Sequence, residues 1–183
     1  MKLNTIPNWL TIGRVLSLPV LLFLTSFPQR GFGVAAAVVF SVAAITDLLD
    51  GYLARKTGQV SSFGKLLDPI ADKIIVASVL IMLVQLNRVP GWMVALIIAR
   101  EFAISGLRAY AVTRSIVIPA TATGKTKTTL QVLAIICLLV NYRLWGFPFA
   151  ELGWVLFLAA FAATIWSGYR YFMDYARLIR ESE

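Results

Sequence analysis

Residues 47–72 read DLLDGYLARKTGQVSSFGKLLDPIAD, a polar stretch inside a chain that is otherwise strongly apolar. Hydrophobic residues make up 59% of the 183-residue sequence, whereas soluble domains average roughly 45–50%. This one stretch nevertheless contains four aspartates, Asp47, Asp50, Asp68 and Asp72. Acidic residues within or bordering membrane spans are energetically costly and are therefore functional candidates by default.

Apolar blocks flank the aspartate stretch on both sides, and each is close to the ~20 residues that a helix needs to cross a bilayer. Breaks containing glycine, proline and asparagine separate these blocks. The pattern predicts an all-α integral membrane protein, one domain over residues 1–183, with an N-terminal interfacial segment. We expect about six transmembrane helices, at about 9–27, 33–54, 67–86, 90–112, 128–145 and 151–172.

The net charge of +8 would on its own also suit a nucleic-acid-binding protein. The basic loop and tail residues are distributed unevenly across the predicted bundle, which favours a membrane instead. Only Arg30, Arg88 and Arg143 lie on one side. By the positive-inside rule the other side is cytoplasmic, so both termini of this cell-membrane protein are predicted to be cytoplasmic. We expect the basic surface to meet anionic lipid headgroups or an anionic substrate, and no nucleic acid. The basic residues on the predicted cytoplasmic side are Lys2, Arg55, Lys56, Lys65, Arg114, Lys125, Lys127, Arg177 and Arg180.

Any metal or acid–base chemistry must rely on carboxylates, because the chain has no histidine and one cysteine, Cys137. The helical period places the aspartates and small residues of this stretch on two stripes, one on each of two predicted helices. The short linker between the stripes predicts two antiparallel, neighbouring helices. Because four facing carboxylates repel one another, and because oxygen ligands select hard cations, the stretch predicts a site for divalent metal ions. The first stripe is Asp47, Asp50, Gly51 and Ala54, and the second is Ser61, Gly64, Asp68 and Asp72.

A purely structural interpretation accounts for half of these acids. Asp68 before Pro69 is typical of a helix N-cap, and Asp72 would be an acid in the first turn, where the helix dipole favours it. The same interpretation fails for Asp47 and Asp50, because they lie at a predicted helix C-terminus, where the dipole disfavours negative charge.

The pattern Asp47-x2-Asp50-Gly51-x2-Ala54-Arg55-x8-Gly64-x3-Asp68-x3-Asp72 resembles the signature of the CDP-alcohol phosphotransferase family. The resemblance implies a homodimeric membrane enzyme in which an alcohol attacks the lipid-linked phosphate of CDP-diacylglycerol and CMP leaves. It implies that Asp47 and Asp68 bridge two Mg²⁺ or Mn²⁺ ions, that Asp50 and Asp72 complete one site each, and that Asp72 is also the catalytic base. It also implies a pocket for the CDP group, lined by Gly51, Ala54, Arg55, Ser61 and Gly64.

The acceptor must be inferred from other segments, namely IIAREFAISGLRAYAVTR at 97–114 and TATGKTKTTLQ at 121–131. The helical period places Glu101 and Arg108 on one stripe, and two lysines lie at a predicted helix start, where anions are favoured. This much positive charge favours a phosphorylated acceptor. Two structural alternatives remain open, an Arg100–Glu101 pair that holds the bundle together and lysines that extend toward the membrane surface.

These segments, together with IPNWLTIGR at 6–14, are similar to members of the family that use sn-glycerol 3-phosphate as acceptor. Another acceptor, such as inositol phosphate or a different polar alcohol, is the first alternative. A divalent-cation transporter is a remote one, because a transporter should show internal repeats and acids near the bilayer midplane. The resemblance implies CDP-lipid binding by Asn8 and Thr11, and binding of the acceptor phosphate by Arg14, Arg100, Arg108, Lys125 and Lys127.

Overall fold

The computed structural model describes residues 6–57, 62–113, 122–144 and 146–182. Helices dominate this part of the chain, as the sequence predicts, and a two-residue hairpin is the β structure that it contains. The expected interfacial segment falls partly on residues 1–5, outside the described residues. The elements are α1 (Ile6–Thr25), α2 (Arg30–Thr57), α3 (Ser62–Gln85), α4 (Gly91–Thr113), α5 (Ala122–Val140), β1 (Arg143–Leu144), β2 (Phe147–Pro148) and α6 (Phe149–Ser182).

Two helices are followed by an asparagine in the left-handed backbone conformation. Asn87, after α3, has a φ of 54°, and Asn141, after α5, has a φ of 52°. Asparagine tolerates this conformation better than most residues, which suits it to a helix C-terminus. The last carbonyls of α5 also need donors, and Arg88 Nη1 reaches the carbonyl oxygens of Leu138 and Leu139 at 2.8 and 2.7 Å. Partial burial lowers the pKa of the Arg88 guanidinium, which still remains charged at neutral pH.

The six helices pack around one apolar core. Helix α1 lies against α2 and α3, α2 also packs on α5, and α6 packs on α4 and, most extensively, on α5. Gly33 permits the close approach of α2 to α5, since a Cβ atom at this position would lie 2.5 Å from the Leu139 carbonyl oxygen. The largest fully buried side chains include Phe40, Phe157, Leu21, Leu80, Leu83, Ile97, Ile135, Leu138 and Leu139.

The outer surface of the bundle is also apolar. Leu16, Phe23, Trp92 and Val155 are each at least 60% exposed. Large exposed apolar patches are rare on soluble monomers and mark surfaces that contact a membrane or another protein. Within the described residues, Arg30–Asp47 and Phe149–Arg177 are long and apolar enough to cross a membrane. Shorter apolar helices cover Gly13–Thr25 and Thr126–Val140.

One aspect of the predicted packing differs from the structure. The sequence predicts α2 and α3 as direct neighbours, but over the parts of these helices that the structure describes they make few contacts with each other. Helix α1 packs on both of them and lies between the ends that carry Asp47 and Asp72. Arg14 of α1 supplies a cation to the two acids.

Candidate active site

Arg14 on α1 joins the two described aspartates of the predicted metal site. Its Nη1 atom lies 2.6 Å from Asp47 Oδ1 and 2.5 Å from Asp72 Oδ1. The Arg14 side chain is 2% exposed, whereas those of Asp47 and Asp72 are 38% and 41% exposed. A guanidinium held so deeply needs anionic partners, and two carboxylates close together need a cation. Asp47 on α2 and Asp72 on α3 therefore lie close together, with Arg14 of α1 between them.

The sequence predicts Arg14 as a ligand of the acceptor phosphate, but the structure gives it carboxylate partners within the protein. One signal for this arrangement was present in the sequence. Arg14 stands inside an apolar run, and a charged residue in such a place usually pairs with another charge. The stripe pattern of α2 and α3 could not identify the helix that supplies this charge.

The two acids suit a divalent cation. Their carboxylate oxygens approach the same positively charged nitrogen, and carboxylate oxygens are the ligands that Mg²⁺ and Mn²⁺ prefer. The side chains of Asp50 and Asp68 lie outside the described residues, and the described side chains alone form no group of three or more metal-ligating residues. Asp47 and Asp72 thus fit as part of a larger metal site.

A second ion-pair group connects α4 with α5 and α6. The Glu101 carboxylate accepts hydrogen bonds from Lys127 Nζ and from Arg100 Nη1, the latter at 2.9 Å. Arg100 Nη2 donates to Ser167 Oγ on α6 at 2.9 Å. Gly168 leaves room for this arginine, since a Cβ atom there would lie 3.1 Å from Arg100 Cγ. Arg100, predicted as an acceptor ligand, therefore ties α4 to α6. This contact agrees with the structural alternative, in which the Arg100–Glu101 pair holds the bundle together.

A cleft of about 260 Å³ lies between α3, α4 and α5. Asp72, the predicted base, and Lys127, a predicted phosphate ligand, both line it. Helix α5 begins before the lysines, so that Lys127 lies on its second turn and is only 6% exposed. The volume suits a small metabolite, since pockets for drug-sized ligands are usually larger. The other lining residues are Lys73, Val76, Ala77, Leu80, Ile97, Ile98, Glu101, Phe102, Thr128 and Gln131.

Arg108 lies outside the residues that line this cleft. Its guanidinium carbon is 5.9 Å from the centre of the Tyr171 ring, a cation–π distance.

Gln131 lines the cleft, although the sequence did not predict it as a ligand. Its position four residues after Lys127, on the same helix face, was the available signal. The remaining predicted ligands have side chains outside the described residues, namely Asn8, Thr11, Gly51, Ala54, Arg55, Ser61, Gly64 and Lys125.

Comparison with known proteins shows which family this chain resembles. A protein of Bacillus subtilis named CDP-diacylglycerol–glycerol-3-phosphate 3-phosphatidyltransferase is 40% identical over 182 residues, covering 91% of this chain and 93% of that protein. Proteins of the same name are 40% identical in Rickettsia bellii (94% of this chain, 96% of the relative) and 36% identical in Shigella flexneri (93% and 94%). The family model described as CDP-alcohol phosphatidyltransferase matches residues 4–166, and the chain belongs to this family.

Proposed function

We propose that this protein transfers the phosphatidyl group of CDP-diacylglycerol to sn-glycerol 3-phosphate, giving phosphatidylglycerophosphate and CMP. The observation that carries the proposal is the cleft that Asp72 and Lys127 share. A proton acceptor and a buried cation at one small cavity are what a phosphorylated alcohol requires. The names of the relatives describe the same donor and acceptor.

Two Mg²⁺ or Mn²⁺ ions, held by Asp47, Asp50, Asp68 and Asp72, would neutralise the donor pyrophosphate and the negative charge that develops on the departing CMP. Enzymes of this family generally depend on divalent metal ions, and the carboxylate-only ligand set fits them. Arg14 on α1 supports α2 and α3, because its buried guanidinium holds Asp47 and Asp72 together.

Asp72 serves as the general base in this proposal. The primary hydroxyl of the acceptor attacks the phosphorus next to diacylglycerol, and the phosphoanhydride bond to CMP breaks. Asp72 takes the hydroxyl proton, a role that a carboxylate can fill in a chain that has no histidine. Its side chain is 41% exposed and lines the cleft, so that an acceptor can reach it.

The acceptor phosphate binds near the start of α5, where the helix N-terminus already favours anions. Lys127 contributes its charge there, and Glu101 holds its ammonium group in place. Lys125 is proposed to act beside it, and Arg108 on α4, although outside the cleft lining, is proposed to add positive charge. The donor's CDP group would occupy a separate pocket, for which we propose Asn8, Thr11, Gly51, Ala54, Arg55, Ser61 and Gly64.

This reaction requires a site at the membrane boundary. The donor's acyl chains belong in hydrocarbon, its pyrophosphate belongs at headgroup depth, and the acceptor comes from water. We therefore propose a multi-pass protein of the cell membrane, one domain with six spans and both termini in the cytoplasm. The apolar outer faces of α2 and α6 support it. A homodimer is proposed from the resemblance to the family.

Purified protein with labelled CDP-diacylglycerol and Mg²⁺ or Mn²⁺ should be offered a panel of alcohols. The panel contains sn-glycerol 3-phosphate, inositol phosphate, serine, inositol and glycerol. Of these alcohols, we expect only sn-glycerol 3-phosphate to give rapid CMP release. Preferential use of inositol phosphate would keep the donor chemistry and replace the acceptor, whereas CMP release with none of these alcohols would refute the proposal.

A further inference from the structure

Gln131 carries a hydrogen-bond donor that the described protein does not satisfy. The residue is only 5% exposed, and its buried Nε2 atom has no hydrogen-bond partner among the described residues. Leaving a buried donor unpaired destabilises a fold, so such groups are rare unless they have a function. Since Gln131 also lines the cleft shared by Asp72 and Lys127, a bound ligand could supply the missing acceptor.

The position of Gln131 within the cleft indicates which part of a ligand it meets. Helices α3 and α5 run in one direction and α4 runs in the other. Gln131 follows Lys127 by one turn of α5, so it lies deeper in the cleft than Lys127, Asp72 and Glu101. The α3 and α4 walls at this depth include Val76 and Ile97, which are apolar. An uncharged amide surrounded by apolar walls suits a neutral polar group better than a phosphate, which would lose its solvation there.

We propose that Gln131 determines acceptor specificity, by donating a hydrogen bond from Nε2 to the acceptor hydroxyl that does not react. This inference rests on the proposed function, in which the phosphate remains with the lysines and the primary hydroxyl meets Asp72. The secondary hydroxyl of glycerol 3-phosphate is then the group left to enter the deeper part of the cleft. Sites built to bind a substrate hydroxyl reject analogues that lack it, because the buried donor again has no partner.

The test compares two acceptors that differ by this one hydroxyl, sn-glycerol 3-phosphate and 3-hydroxypropyl phosphate. For the wild-type enzyme we expect kcat/KM to be about tenfold higher with glycerol 3-phosphate, as one neutral hydrogen bond would give. In Gln131→Leu this preference should disappear, because kcat/KM falls for glycerol 3-phosphate and stays constant for 3-hydroxypropyl phosphate. The KM for CDP-diacylglycerol should not change, and Gln85→Leu, the same substitution on an exposed part of α3, should behave as wild type.

Thermal stability in detergent, without substrates, provides the second measurement. If Gln131 serves the acceptor, Gln131→Leu should be at least as stable as the wild type, because it removes an unpaired buried donor. Gln131→Met, which keeps the length of the side chain, should repeat both results. Equal losses with both acceptors, or a lower melting temperature in both variants, would show a structural role and overturn the inference. A wild-type enzyme that ignores both acceptors would instead refute the proposed function, and the inference with it.

Discussion

Replacing Lys127 with methionine removes the buried cation of the cleft while nearly preserving the shape of the side chain. In the proposed function this cation binds the acceptor phosphate, and a hydrogen bond to a charged group contributes about 1.5–3 kcal/mol. Lys127 already shares its charge with Glu101, so we expect the lower end of this range. The predicted effect of Lys127→Met is roughly a tenfold fall in kcat/KM for sn-glycerol 3-phosphate, expressed mainly in KM.

The structure also predicts that this substitution has little effect on stability. Glu101 keeps a cationic partner in Lys127→Met, because Arg100 Nη1 still donates to it at 2.9 Å. The converse substitution, Glu101→Gln, leaves the Lys127 side chain, which is 7% exposed, without its carboxylate. Removing one member of a buried pair costs about 3 kcal/mol of unfolding free energy. Glu101→Gln should therefore melt at a clearly lower temperature than Lys127→Met.

The assay is initial-rate kinetics of CMP release, with each substrate varied in turn and with melting curves recorded in the same detergent. The KM for CDP-diacylglycerol is the internal control and should stay constant in Lys127→Met. A Lys127→Met enzyme with a normal KM for glycerol 3-phosphate would refute the assignment of Lys127 to the acceptor phosphate. If it were instead destabilised as much as Glu101→Gln, Lys127 would be a structural residue.

Further substitutions separate metal binding from proton transfer. Asp72→Asn should abolish turnover but reduce CDP-diacylglycerol binding, measured with Mg²⁺, far less than Asp68→Asn does; equal losses of binding would make Asp72 chiefly a ligand. Arg14→Gln removes the cation between two carboxylates, so we expect a lower melting temperature and a kcat reduced by at least about tenfold; unchanged kcat would exclude Arg14 from the site. Topology can be tested with single cysteines in a background that lacks Cys137. An external reagent should label a cysteine at position 30 but not one at position 121, and the reverse result would invert the membrane orientation.

The parts of the fold that follow from periodicity could be predicted from the sequence. Long apolar blocks with polar breaks predicted the helices, and the 3.6-residue period predicted that Asp47 and Asp72 face a common space. Charge also gave a partial prediction for Glu101, whose structural pairing with Arg100 was left open as an alternative. These predictions depend on residue spacing within one helix or between two consecutive helices.

Contacts between distant helices could not be predicted in this way. Arg14 reaches Asp72 across 58 positions, and Arg100 reaches Ser167 across 67. One amphipathic pattern does not reveal which third helix will enter a gap between two others, and this choice depends on packing over the whole bundle. Gln131 was not predicted for a different reason. An uncharged amide in an apolar helix looks unremarkable until its neighbours, and the absence of a partner for its Nε2 among the described residues, are known.

The central claim is that the acceptor's own hydroxyl oxygen attacks the phosphorus next to diacylglycerol. It can be tested directly with sn-glycerol 3-phosphate carrying ¹⁸O in its primary hydroxyl, incubated with CDP-diacylglycerol, divalent metal and purified enzyme. We expect one phosphatidylglycerophosphate for each CMP, with all of the ¹⁸O in the lipid and none in CMP. Formation of phosphatidic acid together with an ¹⁸O-labelled cytidylyl ester of glycerol 3-phosphate, or CMP release that continues without glycerol 3-phosphate, would contradict the account.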